Sequence, residues 1–399
     1  MYREDFPMLD QDNLIYLDNG ATTLKPYSVI DSINDYYSTY SANAHRGDYD
    51  ISLKVDNEYE GVREKVKRFI NANSKKEIVF TSGTTDSLNI IATGFFKNYL
   101  QEDDEILITR SEHASNVLPW FNLAKENKLK VKYIGLNENY EVTLKNIKKV
   151  ITPKTKVISL AQITNVLGDV RPIKEITEFA HNNNILVVVD GAQSVPHLKM
   201  DVKRLDIDFL AFSAHKMCGP TGVGVLYAKE EYMDRIIPTR LGGGMNESFD
   251  SIEEVYLKPI PTRLEAGTPN IAGVIGLGSS IDYLTEIGLT NIRNHELELG
   301  KYLYDKLKEI RHINIVNKKP TSIIAFNVDD IFSQDIAIYL NKYGICVRAG
   351  NHCAKILKDE TKVKNTVRVS LYFYNTKEEI DKLVDLLKDK NKILNEMLW

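Results

Sequence analysis

The sequence predicts an α/β protein whose largest unit is a mostly parallel β-sheet with helices on both faces. Between residues 77 and 228, short runs rich in β-branched residues alternate with longer amphipathic segments, which is the pattern of βαβ units. Several of these runs are apolar throughout, as strands covered on both faces should be. The predicted strands are 77–80, 105–109, 131–135, 156–161, 185–190, 209–214 and 223–228.

The segments on either side of this sheet follow different patterns. Pro26 is followed by apolar residues at helical spacing, which predicts a helix near the N-terminus. After residue 230 the pattern loosens through the glycine run at 242–244. Two further helices are then predicted to begin near Ile271 and Asn291.

A second group of strands and helices follows and predicts a smaller α+β unit. Its helices begin at about Gln334 and Lys377, and the second of these is predicted to be the last helix. Its strands are the runs INIV, TSIIAFNV, ICVRAG and VRVSLY. We therefore expect three parts: an N-terminal arm (1–25) that packs with the C-terminal domain, a large α/β domain (26–275) and a small α+β C-terminal domain (276–399).

The charge balance argues against a nucleic-acid-binding protein. The chain has 399 residues, with 51 Lys plus Arg against 55 Asp plus Glu, for a net charge of -4. A nucleic-acid binder would show a basic excess or a basic stripe, and the sequence has neither. Hydrophobic residues make up 43% and charged residues 27%, which is typical of a folded globular chain.

The cysteines and the N-terminus bear on location. Cys218, Cys346 and Cys353 are too few for a disulfide framework and show no CxxC pairing. The N-terminal residues lack the apolar core of an export signal, and the most apolar stretch, ILVVVD, stops at Asp190, far short of a membrane span. We therefore expect a cytoplasmic protein without a membrane anchor.

Motifs for nucleotides and metals find little support. No GxGxxG follows a strand, no GxxxxGK[ST] appears, and the glycines of GPTGVG at 219–224 have the wrong offsets. The eight histidines include no HExxH, and the adjacent pair His352 and Cys353 cannot easily chelate one ion. Dinucleotide, P-loop and metal chemistry are therefore disfavoured.

Two charged residues lie at the carboxyl ends of two predicted strands that are consecutive in the chain. Asp190 ends ILVVVD, and Lys216 follows FLAFSA. Ligands of open α/β sheets bind beyond the carboxyl ends of the strands, so both residues are expected to face one crevice. Pyridoxal phosphate (PLP) requires this pair, a Schiff-base lysine and a carboxylate on the ring nitrogen. The plain alternative is a strand-end turn acid and a surface lysine.

A hydroxyl-rich turn nearby suits the phosphate of such a cofactor. The segment 82–85 (SGTT) follows a predicted strand and opens an amphipathic run, so it offers backbone donors and hydroxyls at a helix start. Ser213 and His215 can add a hydroxyl and an imidazole donor. The alternative is an ordinary helix N-cap.

These residues belong to an ordered series of motifs that covers nearly the whole chain. The series is similar to the cysteine desulfurases of the class V aminotransferase family, which have the PLP-dependent transferase fold type I. It resembles specifically the short-loop SUF-system type (group II), which also includes selenocysteine lyases. The motifs are YLDNGATT (16–23), ANAHRG (42–47), SGTTDSLN (82–89), SEHASNVLPW (111–120), TNVLGDVRP (164–172), VVVDGAQSVPH (189–197), FSAHKMCGPTGVGVLY (212–227), LGGGM (241–245), EAGTPNIAG (265–273), VRAGNHCA (347–354) and VRVSLYFYNT (367–376).

The resemblance implies a role for each site residue. Lys216 would be the Schiff-base lysine, Asp190 the pyridinium partner, and His113 the residue that stacks on the ring and moves protons. The remaining cofactor contacts would come from Gln193, Asn165, Thr84, Thr85, Ser213, His215 and, from the other subunit of a homodimer, Thr268. The substrate would be held by Arg368, whose planar guanidinium suits a carboxylate, and by Asn165, His45 and Arg348.

Cys353 would be the nucleophile that takes sulfur from L-cysteine as a persulfide. The thiolate is the reactive form, so a nearby histidine or the substrate must activate it. Most free cysteines are small buried hydrophobes, but Cys353 lies in a polar loop between His352 and Ala354. Cys346, within an apolar run, and Cys218 fit that plainer role.

Some positions depart from the family pattern. Asn351 stands where a second histidine is usual, Ala114 and Ser82 replace a histidine and an arginine, and Gly20 replaces an alanine. The residues after Cys353 lack the usual Pro-Leu. None of these changes removes a cofactor ligand, but they bear on how sulfur leaves Cys353.

The sequence therefore predicts a PLP-dependent cysteine desulfurase that supplies sulfur for iron–sulfur cluster assembly through an acceptor protein of the SUF system. The alternatives are a selenocysteine lyase acting on L-selenocysteine, another class V enzyme such as an aminotransferase or epimerase, and a non-catalytic scaffold of a sulfur-transfer complex.

Overall fold

The computed structural model describes residues 2–44 and 47–397 and has the expected α/β architecture. The strands, in chain order, are β1 (Ile15–Tyr16), β2 (Ile78–Thr81), β3 (Glu105–Thr109), β4 (Lys130–Ile134), β5 (Thr155–Ala161), β6 (Leu186–Asp190), β7 (Phe209–Ser213), β8 (Gly224–Ala228), β9 (Asn246–Phe249), β10 (Val255–Leu257), β11 (Ile313–Ile315), β12 (Ile323–Val328), β13 (Ile345–Cys346), β14 (Arg348–Gly350) and β15 (Thr366–Ser370).

The large sheet has seven strands in the order β2-β8-β7-β6-β5-β3-β4. All neighbours are parallel except β8, which is antiparallel to both β2 and β7. The predicted strands match the observed ones to within one residue at each end. The carboxyl ends of β5, β6 and β7 lie side by side, with Ala161 opposite Asp190 and Asp190 opposite Ala211.

Both faces of this sheet are buried, which explains its continuous apolar runs. Val187 and Val189 belong to the hydrophobic core on one face, whereas Val188 belongs to the core on the other. Strands with no solvent-facing side need no polar alternation. The sheet is therefore a rigid layer from whose edge the site residues project.

Helices cover both faces of the large sheet and also contribute to the second unit. They are α1 (Tyr27–Thr39), α2 (Asp50–Phe69), α3 (Thr84–Ile90), α4 (Lys97–Tyr99), α5 (Leu118–Asn127), α6 (Leu144–Lys148), α7 (Ile173–His181), α8 (Val202–Leu205), α9 (Glu230–Met233), α10 (Ile271–Ile287), α11 (Leu289–Lys308), α12 (Ser333–Asn341), α13 (Lys358–Thr361), α14 (Lys377–Leu387) and α15 (Lys390–Met397). A π-helical segment, Ile91–Phe96, joins α3 to α4. No helix among the described residues is long and apolar enough to span a bilayer.

The sequence reasoning missed α2 and α15. Helix α2 buries Val55, Tyr59, Val62 and Val66 at helical spacing, but its other residues are mostly charged or polar. The sequence predicts one last helix from Lys377, whereas the structure has two helices there, α14 and α15.

The second unit is built on a four-stranded antiparallel sheet in the order β11-β12-β15-β14. The run ICVRAG, expected as one strand, is divided between β14 of this sheet and β13, which pairs in parallel with β1. The N-terminal residues are also tied to this unit by an ion pair of 2.7 Å between Arg3 and Glu379. The domain limits given above stay predictions.

Candidate active site

A cavity of about 200 Å³ lies at the carboxyl ends of β5, β6 and β7. The structure brings twelve of the fourteen sequence-predicted site residues into its wall: Thr84, Thr85, His113, Asn165, Asp190, Gln193, Ser213, His215, Lys216, Arg348, Cys353 and Arg368. Thr268 lines a different cavity of the same chain, with Ser82, Asp86 and Arg240. His45 lies outside the described residues.

Asp190 and Lys216 form the buried inner wall of this cavity. Asp190 is the last residue of β6, and its Oδ1 accepts the N–H of Ala192 at 2.9 Å. Burial raises the pKa of this carboxyl to about 6, although the Ala192 N–H and Lys216 oppose the shift. Lys216 ends a short helical turn after β7, and burial lowers the pKa of its amine to about 8. The amine is therefore far easier to deprotonate than an exposed lysine.

The N-terminus of α3 supplies an anion cradle on one side of the cavity. The N–H of Thr84 donates to Ser213 Oγ at 2.7 Å, and Thr85 Oγ1 lies 2.7 Å from Ser115 Oγ. A Cβ at Gly224 would lie 2.4 Å from the backbone of Gly83, so β8 needs glycine there to pack against this turn. The turn thus gathers hydroxyls and helix N–H groups where a phosphate would bind.

His113 is held in one orientation by the turn that follows it. Its Nδ1 accepts the N–H of Ser115 at 3.1 Å, which assigns the proton of the neutral ring to Nε2. Burial, helped by the charges of Lys216, Arg368 and Arg348, lowers the pKa of this imidazole to about 4. The ring is therefore neutral near pH 7 and can both stack on an aromatic ligand and exchange a proton.

His215 lies next to Lys216 in the sequence and lines the same cavity, but its ring is neutral near pH 7. Burial, followed by the charges of Lys216 and Lys25, lowers the pKa of its imidazole to about 4. A bound anion would oppose this shift, because it favours the protonated ring.

Arg368 lies on β15 and brings the second unit into the site. Its guanidinium is buried, donates to the carbonyl of Asn165 at 2.9 Å and pairs with Asp18 at 2.7 Å. These bonds use two of its five N–H donors, and its Nε has no partner among the described residues. The group can therefore still bind an anion such as a carboxylate.

The loop that carries Cys353 exposes this residue and is held by hydrogen bonds to its backbone. Cys353 is the exposed cysteine of the three, and both it and His352 adopt left-handed backbone conformations, with φ of 58° and 52°. Asn351 Oδ1 accepts the N–H of Cys353 at 3.1 Å, and the Cys353 carbonyl accepts the N–H of Ala114 at 2.8 Å. Asn165 donates to the carbonyl of His352 at 2.7 Å. The thiol is thus presented from a fixed turn.

Two groups near the site were missed by the sequence reasoning. His352 lines the cavity and is buried, with Nε2 2.8 Å from Thr366 Oγ1, and burial lowers the pKa of its ring to about 3. Behind His113, the fully buried Glu112 and Arg171 form an ion pair. Their isolated positions in the sequence give no periodic signal, although both lie within motifs of the resemblance.

The donor set fits PLP. A lysine with a lowered pKa, a buried carboxylate, the anion cradle and a neutral histidine line the same cavity. Gln193 Nε2 donates one N–H to the carbonyl of Gly20 at 2.7 Å, which leaves its second N–H for a ring oxygen. The unused donors of Arg368 match a substrate carboxylate.

Comparison with known proteins independently supports the family that the sequence motifs indicate. The family model of class V aminotransferases matches residues 15–383. A probable cysteine desulfurase of Halalkalibacterium halodurans is 44% identical over 383 residues, which cover 95% of this chain and 94% of the relative. A probable cysteine desulfurase of Borreliella burgdorferi is 43% identical and covers 99% of this chain and 96% of its own.

Solved structures show the same likeness in three dimensions. The cysteine desulfurase CsdA of Escherichia coli superposes with a TM-score of 0.92 at 36% identity, covering 99% of this chain and 98% of the other. A cysteine desulfurase of Thermococcus onnurineus gives 0.93 at 36% identity, covering 98% and 97%. These likenesses confirm the predicted PLP-dependent transferase fold type I.

Proposed function

The chain belongs to the class V aminotransferase family, and from that premise we propose that it is a PLP-dependent cysteine desulfurase. It converts L-cysteine to L-alanine and keeps the sulfur as a persulfide on Cys353. The observation that carries this proposal is an exposed cysteine in the wall of the cavity that contains the half-buried Lys216 and the buried Asp190.

The cofactor is held by residues of the large sheet and of the turns after it. Lys216 would bind PLP covalently, Asp190 would pair with the ring nitrogen, and His113 would stack on the ring. Gln193 and Asn165 would donate near the phenolic oxygen, and Thr84, Thr85, Ser213 and His215 would hold the phosphate. When bound, PLP supplies an electron sink that stabilises negative charge at the substrate Cα.

The substrate is oriented by the second unit. Arg368 binds its carboxylate through the guanidinium donors that the fold leaves unused, with Arg348 beside it. His45, by family resemblance, adds a further contact. Cys353 lines the same cavity as Arg368, so a substrate held there by its carboxylate shares the cavity with the thiol.

The chemistry of the chain's own residues follows from their protonation. Because the pKa of Lys216 is lowered to about 8, a fraction of its amine is neutral near pH 7 and can accept the Cα proton, and the neutral His113 can exchange a proton with the substrate. The Cys353 thiolate attacks the substrate sulfur, the substrate C–S bond breaks, and an S–S bond forms on Cys353. L-cysteine and one thiol thus give L-alanine and one persulfide, so atoms and electrons balance without an external oxidant.

The enzyme is a homodimer in this proposal, and Thr268 of each subunit reaches the phosphate of the other. Support comes from Thr268 itself, which is exposed and lines no part of its own chain's cofactor cavity. A hairpin of β9 and β10 nearby in the chain exposes Phe249 and Tyr256, which are 72% and 58% accessible. Such apolar exposure is typical of an interface.

In the cell, this proposal places the enzyme in a reducing cytoplasm, where its thiol stays free. The persulfide sulfur passes to an acceptor protein of the SUF system and then into iron–sulfur clusters. The test combines mass spectrometry of the protein after L-cysteine with an assay of released alanine. An added sulfur on Cys353 and stoichiometric alanine are expected, and full activity of Cys353→Ala on L-cysteine would refute the mechanism.

The same variant separates the proposal from a selenocysteine lyase. Selenium leaves carbon more readily than sulfur, so a lyase needs the cysteine less. If Cys353→Ala retained its rate on L-selenocysteine while the unchanged enzyme was slow on L-cysteine, the lyase would be favoured.

A further inference from the structure

The surface beside Cys353 has a charge unlike that of the rest of the chain. On the basis of the proposed function, we infer that the sulfur acceptor is a protein with acidic residues around its accepting thiol, and that it docks on this surface. We name it the basic rim and define it as Arg110, Lys355, Lys358, Lys362 and Lys364.

Cations dominate the basic rim, although the whole chain is acidic. Residues 355–364 hold four lysines and two carboxylates, whereas the chain has a net charge of -4. Four lysines and Arg110, less Asp359 and Glu360, leave a local charge of +3. A patch of this sign concentrates negatively charged partners near it.

Most of the lysines of the basic rim are exposed and unpaired. Lys355, Lys358 and Lys364 are exposed and form no salt bridge with any residue in the ranges 2–44 and 47–397. Lys362 donates to the backbone carbonyl of Asp359 at 2.5 Å, which neutralises no charge. The carboxylate of Glu360 is already paired with Arg110 at 2.9 Å. The positive charge is therefore available to a partner.

Packing fixes the basic rim relative to the thiol. Ala354 and Leu357 alternate with the exposed Lys355 and Lys358, and both are buried in a small apolar cluster with Leu167. The lysine backbone therefore cannot swing away from Cys353 without exposing that cluster. On the far side, the Arg110 guanidinium lies 4.8 Å from the centre of the Tyr133 ring. Lys355 and Lys358 are thus held by packing in the segment that directly follows Cys353.

The transfer step explains why this charge is useful. The acceptor thiolate attacks the outer sulfur of the Cys353 persulfide, the S–S bond breaks, and its electron pair leaves on the Cys353 sulfur as a thiolate. The acceptor then carries the persulfide, so the step needs no oxidant or reductant. Nearby cations stabilise the attacking thiolate and offset the effect of acidic neighbours, which would raise the pKa of the acceptor thiol.

The test uses the holoenzyme loaded with sulfur by L-cysteine and freed of excess substrate. Mass spectrometry first measures the sulfur on Cys353. Three synthetic peptides, each with one cysteine and flanked by glutamates, glutamines or lysines, are then added at equal concentration. The rate at which each peptide gains sulfur is measured at low and at high salt.

The acidic peptide is expected to take sulfur about tenfold faster than the glutamine peptide at low salt, and this preference should shrink at high salt. The double variant Lys355→Glu/Lys358→Glu should lose the preference while loading Cys353 normally. The matched control Lys203→Glu/Arg204→Glu reverses two exposed charges on α8, which leads into the amino end of β7, and should keep the preference.

The two failures are distinguishable. No sulfur on Cys353 after L-cysteine would overturn the proposed function, and the acceptor inference with it. Normal loading with equal rates for the three peptides would overturn the acceptor inference alone. A preference that survives in Lys355→Glu/Lys358→Glu would also overturn it, because the charge would then act from elsewhere.

Discussion

The residues of the inner wall and those of the Cys353 loop are held in position by different interactions. The inner wall lies at the ends of buried strands, and Asp190 is only 4% exposed. Burial there shifts the pKa values of Asp190, Lys216 and His113. The loop exposes Cys353 and lies outside the large sheet, so hydrogen bonds hold it. Asn351 accepts the N–H of Cys353, Ala114 donates to the Cys353 carbonyl, and Asn165 donates to the His352 carbonyl.

The difference follows from what each region has to do. Proton chemistry needs titratable groups whose pKa values are set by a low-dielectric environment, and burial provides it. A sulfur carrier must reach both the buried substrate and an acceptor outside, so it cannot be buried. The two regions should therefore respond differently to substitution.

The largest effect is expected for Lys216→Ala, which removes the central group of the inner wall. Without the amine, alanine release from L-cysteine should fall by at least about 10³-fold. The visible absorbance of the lysine-bound cofactor should be lost as well. Lys203→Ala, an exposed lysine on α8, is the control and should change neither. Retention of both signals in Lys216→Ala would contradict the assignment.

Removal of the Cys353 thiol should reduce activity while leaving cofactor binding at the inner wall unchanged. Cys353→Ala is expected to lose at least about 10²-fold in desulfuration of L-cysteine, because the nucleophile is gone. The cofactor absorbance should stay normal, since this residue lies outside the inner wall. Cys346→Ala is the matched control and should keep full activity. A loss of bound cofactor in Cys353→Ala would contradict the separate roles of the inner wall and the Cys353 loop.

The pH dependence of cofactor capture should report the inner wall alone. Burial lowers the pKa of Lys216 to about 8, and the neutral amine is the form that reacts with PLP. The capture rate of cofactor-free enzyme should therefore rise about tenfold per unit up to about pH 8 and level off above it. The absorbance change on adding PLP measures this rate.

The same profile is expected for Cys353→Ala, because the loop takes no part in capture. A rate that kept rising toward pH 10.5, the ordinary value for lysine, would show that the pKa of Lys216 is not lowered.

The smallest effect is expected for Asn351→Ala in the loop. This change removes one hydrogen bond to the backbone of Cys353, worth about 1 kcal/mol, so persulfide formation should slow about fivefold. Rapid-mixing measurement of sulfur on Cys353 would detect it. Asn183→Ala removes a similar bond at the end of α7 and should have no effect. A loss greater than 10²-fold would mean that Asn351 acts in the chemistry itself.

The sequence allowed prediction of the features that depend on local patterns. Strands buried on both faces are continuous apolar runs, so β3, β6 and β7 were located closely, and with them Asp190 and Lys216 at their ends. The clustering of twelve site residues in one cavity followed from motifs that the family shares.

Features that depend on distant contacts could not be predicted from local patterns. Glu112 and Arg171, which form a buried ion pair, lie 59 positions apart in the sequence. No local pattern in either segment identifies the partner residue. The parallel pairing of β1 with β13 involves two residues from each strand, too few for a periodic pattern. The left-handed backbone at His352 and Cys353 is set by Asn351 and by the surrounding loops, which no propensity scale includes.

The ion pair between Arg3 and Glu379 has a consequence for the synthesis of the chain. The two residues lie 376 positions apart, so the segment with Arg3 is synthesised long before Glu379 and must wait for it before the ion pair can form. At elongation rates of about 5–20 residues per second, the wait is roughly 20 to 75 seconds. For nearly all of that time Phe6, which is fully buried in the finished protein, lacks its contacts with Phe373 and Tyr374. A chaperone that holds nascent chains would find an apolar binding segment there.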